Sequence, residues 1–313
     1  MTRRTTYTVA CLSGHGIGPE MMAEASRALA QVSRLHGFRV DQSYPPFGAE
    51  AVTQSGHALP PATREATLAA QAVLVAAEDA PALAGVESEL DLHSRIDRIV
   101  YPLRRSVTLL SPLVDVDPAS TFERAFAVAR ASLARVSSVG GDSAWKTAFE
   151  AESVRHPGVF VEEMSVSTAF QALWFDAQRF DVVVCPRPYI EPLAGVAAHG
   201  HSPRIAASGR LARSGPGVFF PAHGAAEDIA GQGVANPASM LVATALMLGE
   251  GLGERRAAET LAGAVLEAAS NSTVTPDMVD TGVGATTREF ADVVLSELPY
   301  ALTNAEFYRE SVA

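Results

Sequence analysis

Short apolar segments alternate along this chain with longer stretches in which apolar residues recur every three or four positions. Residues 7–13 are short, apolar and β-prone, and a glycine-rich turn follows them. Gly18-Pro19-Glu20 then suits the first turn of a helix, because proline brings no unpaired N–H and glutamate complements the positive end of the helix dipole. The next apolar positions share one helical face before Gly37: Met22, Ala25, Leu29 and Val32.

The same alternation continues towards the carboxyl end. Further strands are predicted at residues 38–44, 72–76, 106–110, 136–139, 159–166 and 180–185. Helices are predicted at residues 60–70, 121–133, 144–154, 168–175, 237–248, 254–269 and 286–298. Residues 203–217, rich in Gly, Ser and Arg, are interpreted as a crossing region, and residues 299–313 fit either a short helix or disorder. Strands alternating with helices of this length predict an α/β fold with a largely parallel sheet.

Composition narrows the class of protein. Of 313 residues, 48% are hydrophobic and 19% charged, which is typical of a packed globular chain. The net charge of −11 argues against nucleic acid or anionic lipid as the main partner. No apolar run approaches the roughly 18 residues that span a bilayer, and the start of the chain lacks the apolar core of a signal peptide. The two cysteines, Cys11 and Cys185, lie in separate apolar runs, which favours a reducing compartment over a disulfide framework. We therefore expect a cytoplasmic protein with no membrane partner.

Several ordered segments resemble one family of enzymes. Residues 14–20 read Gly-His-Gly-Ile-Gly-Pro-Glu, which is similar to the opening signature of the isopropylmalate/isocitrate dehydrogenases, with His15 where that family has aspartate. Residues 47–50 and 56–60 resemble the segment between the family's second strand and helix. Residues 221–237 are similar to the family's cofactor loop almost residue for residue, and residues 275–289 resemble its carboxyl-terminal loop and helix.

The resemblance implies a particular fold and assembly. We expect an isopropylmalate dehydrogenase-like α/β fold, with two lobes around one extended, largely parallel sheet, rather than the Rossmann topology. Residues 1–90 and 203–313 would form the cofactor-binding lobe, and residues 91–202 a second lobe with substrate-side and dimer contacts. A homodimer is implied, in which each active site borrows residues from the partner.

The loop at residues 221–237 has chemistry of its own. Its glycines allow close approach of a ligand and offer bare N–H donors, and Asp228 is an acceptor suited to ribose hydroxyls. The alternative is an ordinary glycine-rich loop that leads into a helix. With the resemblance, the Asp228-Ile229 pair is of the NAD type, so NAD is the predicted cofactor. The predicted cofactor-binding residues are Ile17, His223, Gly224, Ala225, Ala226, Asp228, Ile229 and Asn236.

The family's catalytic residues are mostly replaced in this chain. In the family, arginines on one helix hold the carboxylates of the substrate. Residues 86–97 match that helix, with Glu87 and Asp97 at the two arginine positions, although an alignment shifted by one residue would place Arg98 at the second position. The partner-donated lysine corresponds to Gly141, with Lys146 nearby as a less favoured replacement. The counterparts of the metal-binding aspartates are Ser167, Glu191 and Gly195, so no tight metal site is expected.

These replacements change the substrate that we expect. Carboxylates in place of arginines repel a 2-hydroxy diacid, unless a nearby arginine is recruited, and they favour a cationic or amino-bearing small molecule. The candidates for recruitment are Arg95, Arg98, Arg104, Arg105 and Arg187. Glu191, His93 or Tyr189 could accept the proton. We expect a divergent, metal-independent NAD-dependent oxidoreductase. The alternatives are a catalytically inactive homologue that acts as a regulatory or partner subunit and, less favoured, a lyase or isomerase.

Overall fold

The computed structural model describes residues 5–77, 80–101, 105–113, 118–131, 135–199 and 205–312. The chain divides into two units: unit 1 comprises Met1–Asp91 and Ala207–Ala313, and unit 2 comprises Leu92–Ala206. The boundary expected near residue 202 and the candidate Arg104 lie outside the described residues. The assignment of cofactor and dimer roles to the two lobes stays a prediction.

Ten strands and eleven α-helices form within the described residues. The strands are β1 (Thr6–Leu12), β2 (Arg39–Ser43), β3 (Ala72–Val75), β4 (Leu92–Tyr101), β5 (Arg105–Pro112), β6 (Val136–Val139), β7 (Val161–Met164), β8 (Val182–Val184), β9 (Ile205–Ala212) and β10 (Gly217–Pro221). The helices are α1 (Gly18–His36), α2 (Gly48–Ser55), α3 (Pro61–Ala69), α4 (Ala80–Glu89), α5 (Ala119–Ala131), α6 (Ser143–Arg155), α7 (Val166–Asp176), α8 (Arg187–Ala197), α9 (Ala238–Leu246), α10 (Arg255–Ala269) and α11 (Thr287–Val312).

Unit 1 contains strands in the order β2-β1-β3-β10-β9. The first four run parallel, and β9 pairs antiparallel with β10, for example at Val218 opposite Arg210. Residues 203–217, interpreted from the sequence as a crossing region, include the division between the two units and also strand β9, which the sequence did not predict. Alanine, serine and glycine fill most of β9, so its β-propensity was too weak to be recognised before its pairing with β10 was known.

Helix α1 shows how local sequence sets the elements of unit 1. Pro19 lies in its first turn with Glu20, as predicted. Gly37 ends the helix at φ 79°, a left-handed conformation that glycine adopts without steric cost. The next strand can then pair with β1 in parallel, from Thr6 opposite Arg39 onward. This arrangement fixes the turn between β1 and α1, which forms one side of the candidate site.

Unit 2 contains strands in the order β4-β5-β8-β6-β7. Strands β4 and β5 form an antiparallel pair, whereas β5, β8, β6 and β7 run parallel. Its core contains Ile99, Tyr101, Leu109, Leu173 and Val183 among other buried apolar side chains. Six of the eight strand pairings described within the two units are parallel, and helices separate most of the strands along the chain, so the predicted α/β class with a largely parallel sheet is confirmed.

One predicted element changes type in a way that matters for the site. The sequence placed residues 86–97 along a helix, but α4 ends at Glu89 and β4 begins at Leu92. His93, Arg95 and Asp97 are therefore strand residues that alternate with Ser94 and Ile96, both fully buried. Side chains two residues apart on a strand share a face, whereas on a helix they would diverge.

The structure also describes the state of the two thiols and the apolar length of the helices. Cys11 and Cys185 are both buried and not joined in a disulfide. Burial raises the pKa of the Cys11 thiol to about 12, so it stays protonated at neutral pH and behaves as a small apolar side chain. Among the described residues, no helix is long and apolar enough to cross a bilayer.

Candidate functional site

The turn between β1 and α1 touches the predicted cofactor loop directly. Gly16 adopts φ +60°, and a Cβ built on it would lie 2.0 Å from the carbonyl oxygen of Ala225. The N–H of Ile17 donates to that same oxygen at 2.8 Å. A glycine is therefore needed at position 16 both for its backbone conformation and for the close approach of the loop.

Two side chains add to this contact. His15 Nε2 lies 3.1 Å from Glu227 Oε1, and Glu20 Oε1 accepts a hydrogen bond from the N–H of Gly231 at 3.4 Å. Ala226, which directly precedes Glu227, adopts φ 38°, a left-handed conformation that costs a residue with a Cβ about 1–2 kcal/mol. The turn at residues 14–20 thus holds both ends of residues 225–231 and stabilises that strained conformation.

The far end of the loop is held from the carboxyl-terminal region. Asn236 donates from Nδ2 to Asp277 at 3.0 Å, and its Oδ1 accepts a hydrogen bond at 2.9 Å from the N–H of Ala238, the first residue of α9. Thr287 donates from Oγ1 to the carbonyl of Ala235 at 2.6 Å. Both functions of the Asn236 amide therefore have partners in the protein, and its predicted contact with adenine stays a prediction.

His223 presents an acceptor atom at this loop. Its Nδ1 lies 3.0 Å from the carbonyl oxygen of Gly224, so Nδ1 must carry the proton. Its Nε2 is then an acceptor, and it is buried with no hydrogen-bond partner among the described residues. Burial lowers the pKa of His223, which keeps the ring neutral. A ligand that donates a hydrogen bond would satisfy this atom.

The lowered pKa of His223 predicts a pH dependence. Below about pH 6.5 the unfolded chain takes up a proton that the folded loop resists, so the stability contributed by the neutral ring is lost as the pH falls. Replacement of His223 by Asn is expected to flatten the decline of the melting temperature between roughly pH 7.5 and pH 5.5. Replacement of His57, an exposed histidine of the same unit, serves as the control and should leave the slope unchanged. Identical slopes for H223N and wild type would contradict the prediction.

The loop fits a dinucleotide in its chemistry. Positions 224, 231 and 233 are glycines around which a Cβ would meet nothing within 4 Å, so open space surrounds their backbone. Asp228 is exposed at a short 3-10 turn, Glu227–Ile229, and its carboxylate is available to hydroxyl groups. Together with the buried acceptor of His223, these groups offer what an adenosine moiety requires.

Unit 2 contains a compact charged cluster, formed by Arg95, Asp97 and Glu191. Arg95 Nε donates to both oxygens of Asp97 at 3.0 and 3.1 Å, and its Nη1 donates to Glu191 Oε1 at 2.9 Å. Asp97 is 4% exposed, whereas the Glu191 side chain is 78% exposed. The structure thus joins two predicted site residues through an arginine that the sequence had named only as one of several candidates.

An aromatic ring fills the space beside Gly141, the position that the resemblance assigns to the family's lysine. Gly141 adopts φ +89°, and a Cβ on it would lie 2.2 Å from Cγ of Trp145. The indole N–H of Trp145 donates to Ser138 at 3.0 Å, which fixes the ring beside the turn. Lys146, on the same helix, is exposed. A lysine at 141 would therefore require Trp145 to move.

The other predicted substrate-side and catalytic residues lie apart from these contacts. Glu87 pairs within unit 1 with Arg210 at 3.5 Å, and Arg210 lies over the ring of Phe220. Tyr189, near the start of α8, is partly exposed and close to the position that a Cβ at Gly140 would occupy. His93 and Arg98 are half-buried on β4. The catalytic roles of His93 and Tyr189 stay predictions.

The fold and the loop together define an α/β protein with a glycine-rich ligand loop held against the first βα turn. Residues 8–132 and 125–294 match the sequence model of the isocitrate/isopropylmalate dehydrogenase family. The chain belongs to that family, and the resemblance deduced from its motifs is confirmed.

Individual relatives and solved structures agree with this assignment. The chain is 28% identical to a 3-isopropylmalate dehydrogenase of Streptococcus thermophilus, over 94% of this chain and 100% of that protein. It is 29% identical to a 3-isopropylmalate dehydrogenase of Bacillus cereus, over 93% and 96%. A β-decarboxylating dehydrogenase of Thermococcus kodakarensis shares the fold with a TM-score of 0.80 at 24% identity, over 96% of this chain and 98% of that one. Isocitrate dehydrogenase of Methylococcus capsulatus follows with a TM-score of 0.77 at 20% identity, over 93% and 99%.

The family match corrects the cofactor prediction. The family typically uses NAD or NADP together with a divalent metal ion, so the prediction of NAD as the single cofactor was wrong. It depended on Asp228 and Ile229 alone. An exposed carboxylate is screened by salt and by bound cations, so its charge does not by itself decide between the two dinucleotides.

The metal ion that the family implies does not fit the described residues. Among them, no group of three or more His, Cys, Asp or Glu side chains could hold a metal. Of the three counterparts of metal-binding aspartates, Ser167 and Gly195 offer no carboxylate, and Glu191 is engaged by Arg95. A hard divalent cation needs several oxygen ligands, which this part of the chain does not bring together.

Proposed function

We propose that this protein is an oxidoreductase that uses a nicotinamide dinucleotide and acts on a small molecule other than the usual 2-hydroxy diacid of its family, without a tightly held metal ion. The observation that carries the proposal is the charged cluster. Asp97 occupies a position where the resemblance implies an arginine, and Glu191 pairs with Arg95 where it implies a metal ligand.

The dinucleotide side of the proposal rests on unit 1. The turn at residues 14–20 and the region of Asp277 and Thr287 hold the loop from opposite ends, so it is prepared before a ligand binds. Preorganisation lowers the entropy cost of binding. We assign the adenosine moiety to His223, Asp228 and the open backbone near Gly224, with Ile17, Ala225, Ala226 and Ile229 shaping the loop.

The substrate side rests on the charges of unit 2. Arg95 carries one positive charge, and Asp97 and Glu191 carry two negative charges, so the charged cluster has a net charge of −1. A second or third carboxylate brought by a substrate would be repelled, whereas a neutral or amino-bearing alcohol would not. The proposed substrate is therefore a small alcohol or its carbonyl product, including cationic or amino-bearing compounds.

The reaction requires a proton acceptor in the protein. A bound dinucleotide would supply a hydride acceptor for the carbon that bears the hydroxyl group. The hydroxyl proton passes at the same time to a side chain, for which Glu191, His93 and Tyr189 are the candidates. Glu191 is the most exposed of the three and is itself a member of the charged cluster. Because family enzymes typically act as dimers, we propose a homodimer here as well.

Binding of the dinucleotide can be tested by thermal melting. Saturating NAD⁺ or NADP⁺ is expected to raise the melting temperature, since a ligand that binds only the folded state stabilises it, by about 2.7 kcal/mol at a hundred times its Kd. Replacement of Asp228 by Ala should lower the affinity for the dinucleotide that binds by about tenfold, because a charge-assisted hydrogen bond contributes about 1.5 kcal/mol or more. Replacement of Asp41, another exposed aspartate of unit 1, should change nothing. No shift with either dinucleotide would contradict the proposal.

The second candidate is an inactive homologue that acts as a regulatory or partner subunit. The observation that favours it is Trp145, whose ring occupies the space that a lysine at position 141 would need. Formation of reduced nicotinamide, followed by its absorbance across a panel of alcohols, hydroxy acids and amino alcohols, separates the two candidates. Turnover of any compound with EDTA present supports the oxidoreductase, and turnover only of a diacid with magnesium contradicts the proposed substrate class.

A further inference from the structure

The position of Arg95 gives the misfit of the family's metal ion a physical explanation. Its guanidinium lies between a carboxylate that is almost fully buried, Asp97, and an exposed one, Glu191, within 3.1 Å of both. Desolvation around Asp97 makes a positive partner there strongly favourable. The chain itself thus supplies a cation between these two carboxylates.

We infer that the guanidinium of Arg95 takes the place of the divalent cation in this protein and binds a substrate oxygen. The inference rests on the proposed function and names the residue that determines its substrate class. Arg95 is positioned on β4 with its side chain 16% exposed, and it is part of the same strand as Asp97, so the pair is rigid.

The remaining donors of Arg95 define the ligand. Nε donates to Asp97 and Nη1 to Glu191, whereas Nη2 donates no hydrogen bond to the described residues. A guanidinium carries five N–H donors in one plane. Nη2 can therefore donate to a hydroxyl or carbonyl oxygen, which fits a neutral or amino-bearing substrate because the charge of Arg95 is already offset.

A chain that provides its own cation should exclude a metal ion until that cation is removed. Titration of the full-length protein with Mn²⁺, followed by the electron paramagnetic resonance signal of free Mn²⁺, tests this without coenzyme or turnover. Wild type should show no saturable binding at millimolar Mn²⁺. Arg95→Gln should gain saturable binding through Asp97 and Glu191, and the double variant R95Q/E191Q should bind Mn²⁺ at least about tenfold more weakly than R95Q.

Three results would overturn the inference. They are saturable Mn²⁺ binding by wild type that E191Q weakens, a folded R95Q that binds no more Mn²⁺ than wild type, and equal binding by R95Q and R95Q/E191Q. If R95Q does not fold, as judged by circular dichroism, the test is the comparison of Mn²⁺ binding by wild type and by E191Q. E191Q is expected to fold, since the Glu191 side chain is 78% exposed and its replacement leaves Asp97 paired with Arg95. Absence of Mn²⁺ binding in both then supports the inference. Failure of dinucleotides to bind would contradict the proposed function without altering any Mn²⁺ result.

Discussion

Replacement of Gly16 by Ala is expected to weaken dinucleotide binding about a hundredfold and to lower the free energy of unfolding by about 3 kcal/mol. The added Cβ would lie 2.0 Å from the Ala225 carbonyl oxygen, a backbone atom that cannot rotate away. The φ of +60° adds the cost of a left-handed conformation. To relieve the clash, the loop must leave the turn, which breaks the hydrogen bond from Ile17.

The control for this variant is Gly37→Ala. Gly37 also has a positive φ, of +79°, but a Cβ there would meet nothing within 4 Å. It should therefore lose only the conformational term, about 1 kcal/mol, and keep dinucleotide binding. Isothermal titration calorimetry and chemical denaturation measure the two effects. Equal losses in both variants would show that the contact with Ala225 contributes nothing.

Replacement of Arg95 by Met is expected to lower the free energy of unfolding, and this is the second large effect. The change removes the guanidinium from Asp97, whose side chain is only 6% exposed. Removal of one partner of a buried ion pair typically costs about 3–5 kcal/mol, because the other charge stays desolvated. A clear decrease in the unfolding midpoint of the protein is expected, measured by calorimetry.

Glu191→Gln is the matched control for R95M. Glu191 contacts the same guanidinium, but its side chain is 78% exposed, and exposed ion pairs contribute about 0–1 kcal/mol. The two variants therefore separate burial from contact. A loss in E191Q as large as that in R95M would contradict the assignment of the cost to the buried Asp97.

The structure agrees with the sequence interpretation where local signals are strong and differs from it where they are weak. Segments with strong local signals, such as Gly18-Pro19-Glu20 at the start of α1 and Gly37 at its end, were placed correctly. Strand β9, made largely of small residues, and the helix-to-strand change before β4 were not. Local propensity is weak in both segments, so their conformation depends on the strands with which they pair.

The candidate site follows the same division. The loop at residues 221–237 was recognised because its glycines and Asp228 lie close together in the sequence. The contact between His15 and Glu227 joins residues far apart in the chain, and no local pattern indicates it. The sequence analysis noted His15 only as a departure from the family's aspartate. The signal that could have indicated the contact was a histidine in one motif together with an acidic residue, Glu227, in the other.

By itself, the sequence determined the family, the α/β class and the position of the ligand loop, since these depend on short-range constraints of backbone geometry and periodicity. Only the tertiary structure decided which charges meet. Arg95 and Asp97 share a face because β4 is a strand, and α8 brings Glu191 to them across 96 positions of sequence. Electrostatic partners depend on distances of a few ångströms between distant segments, and those distances arise only when the elements pack.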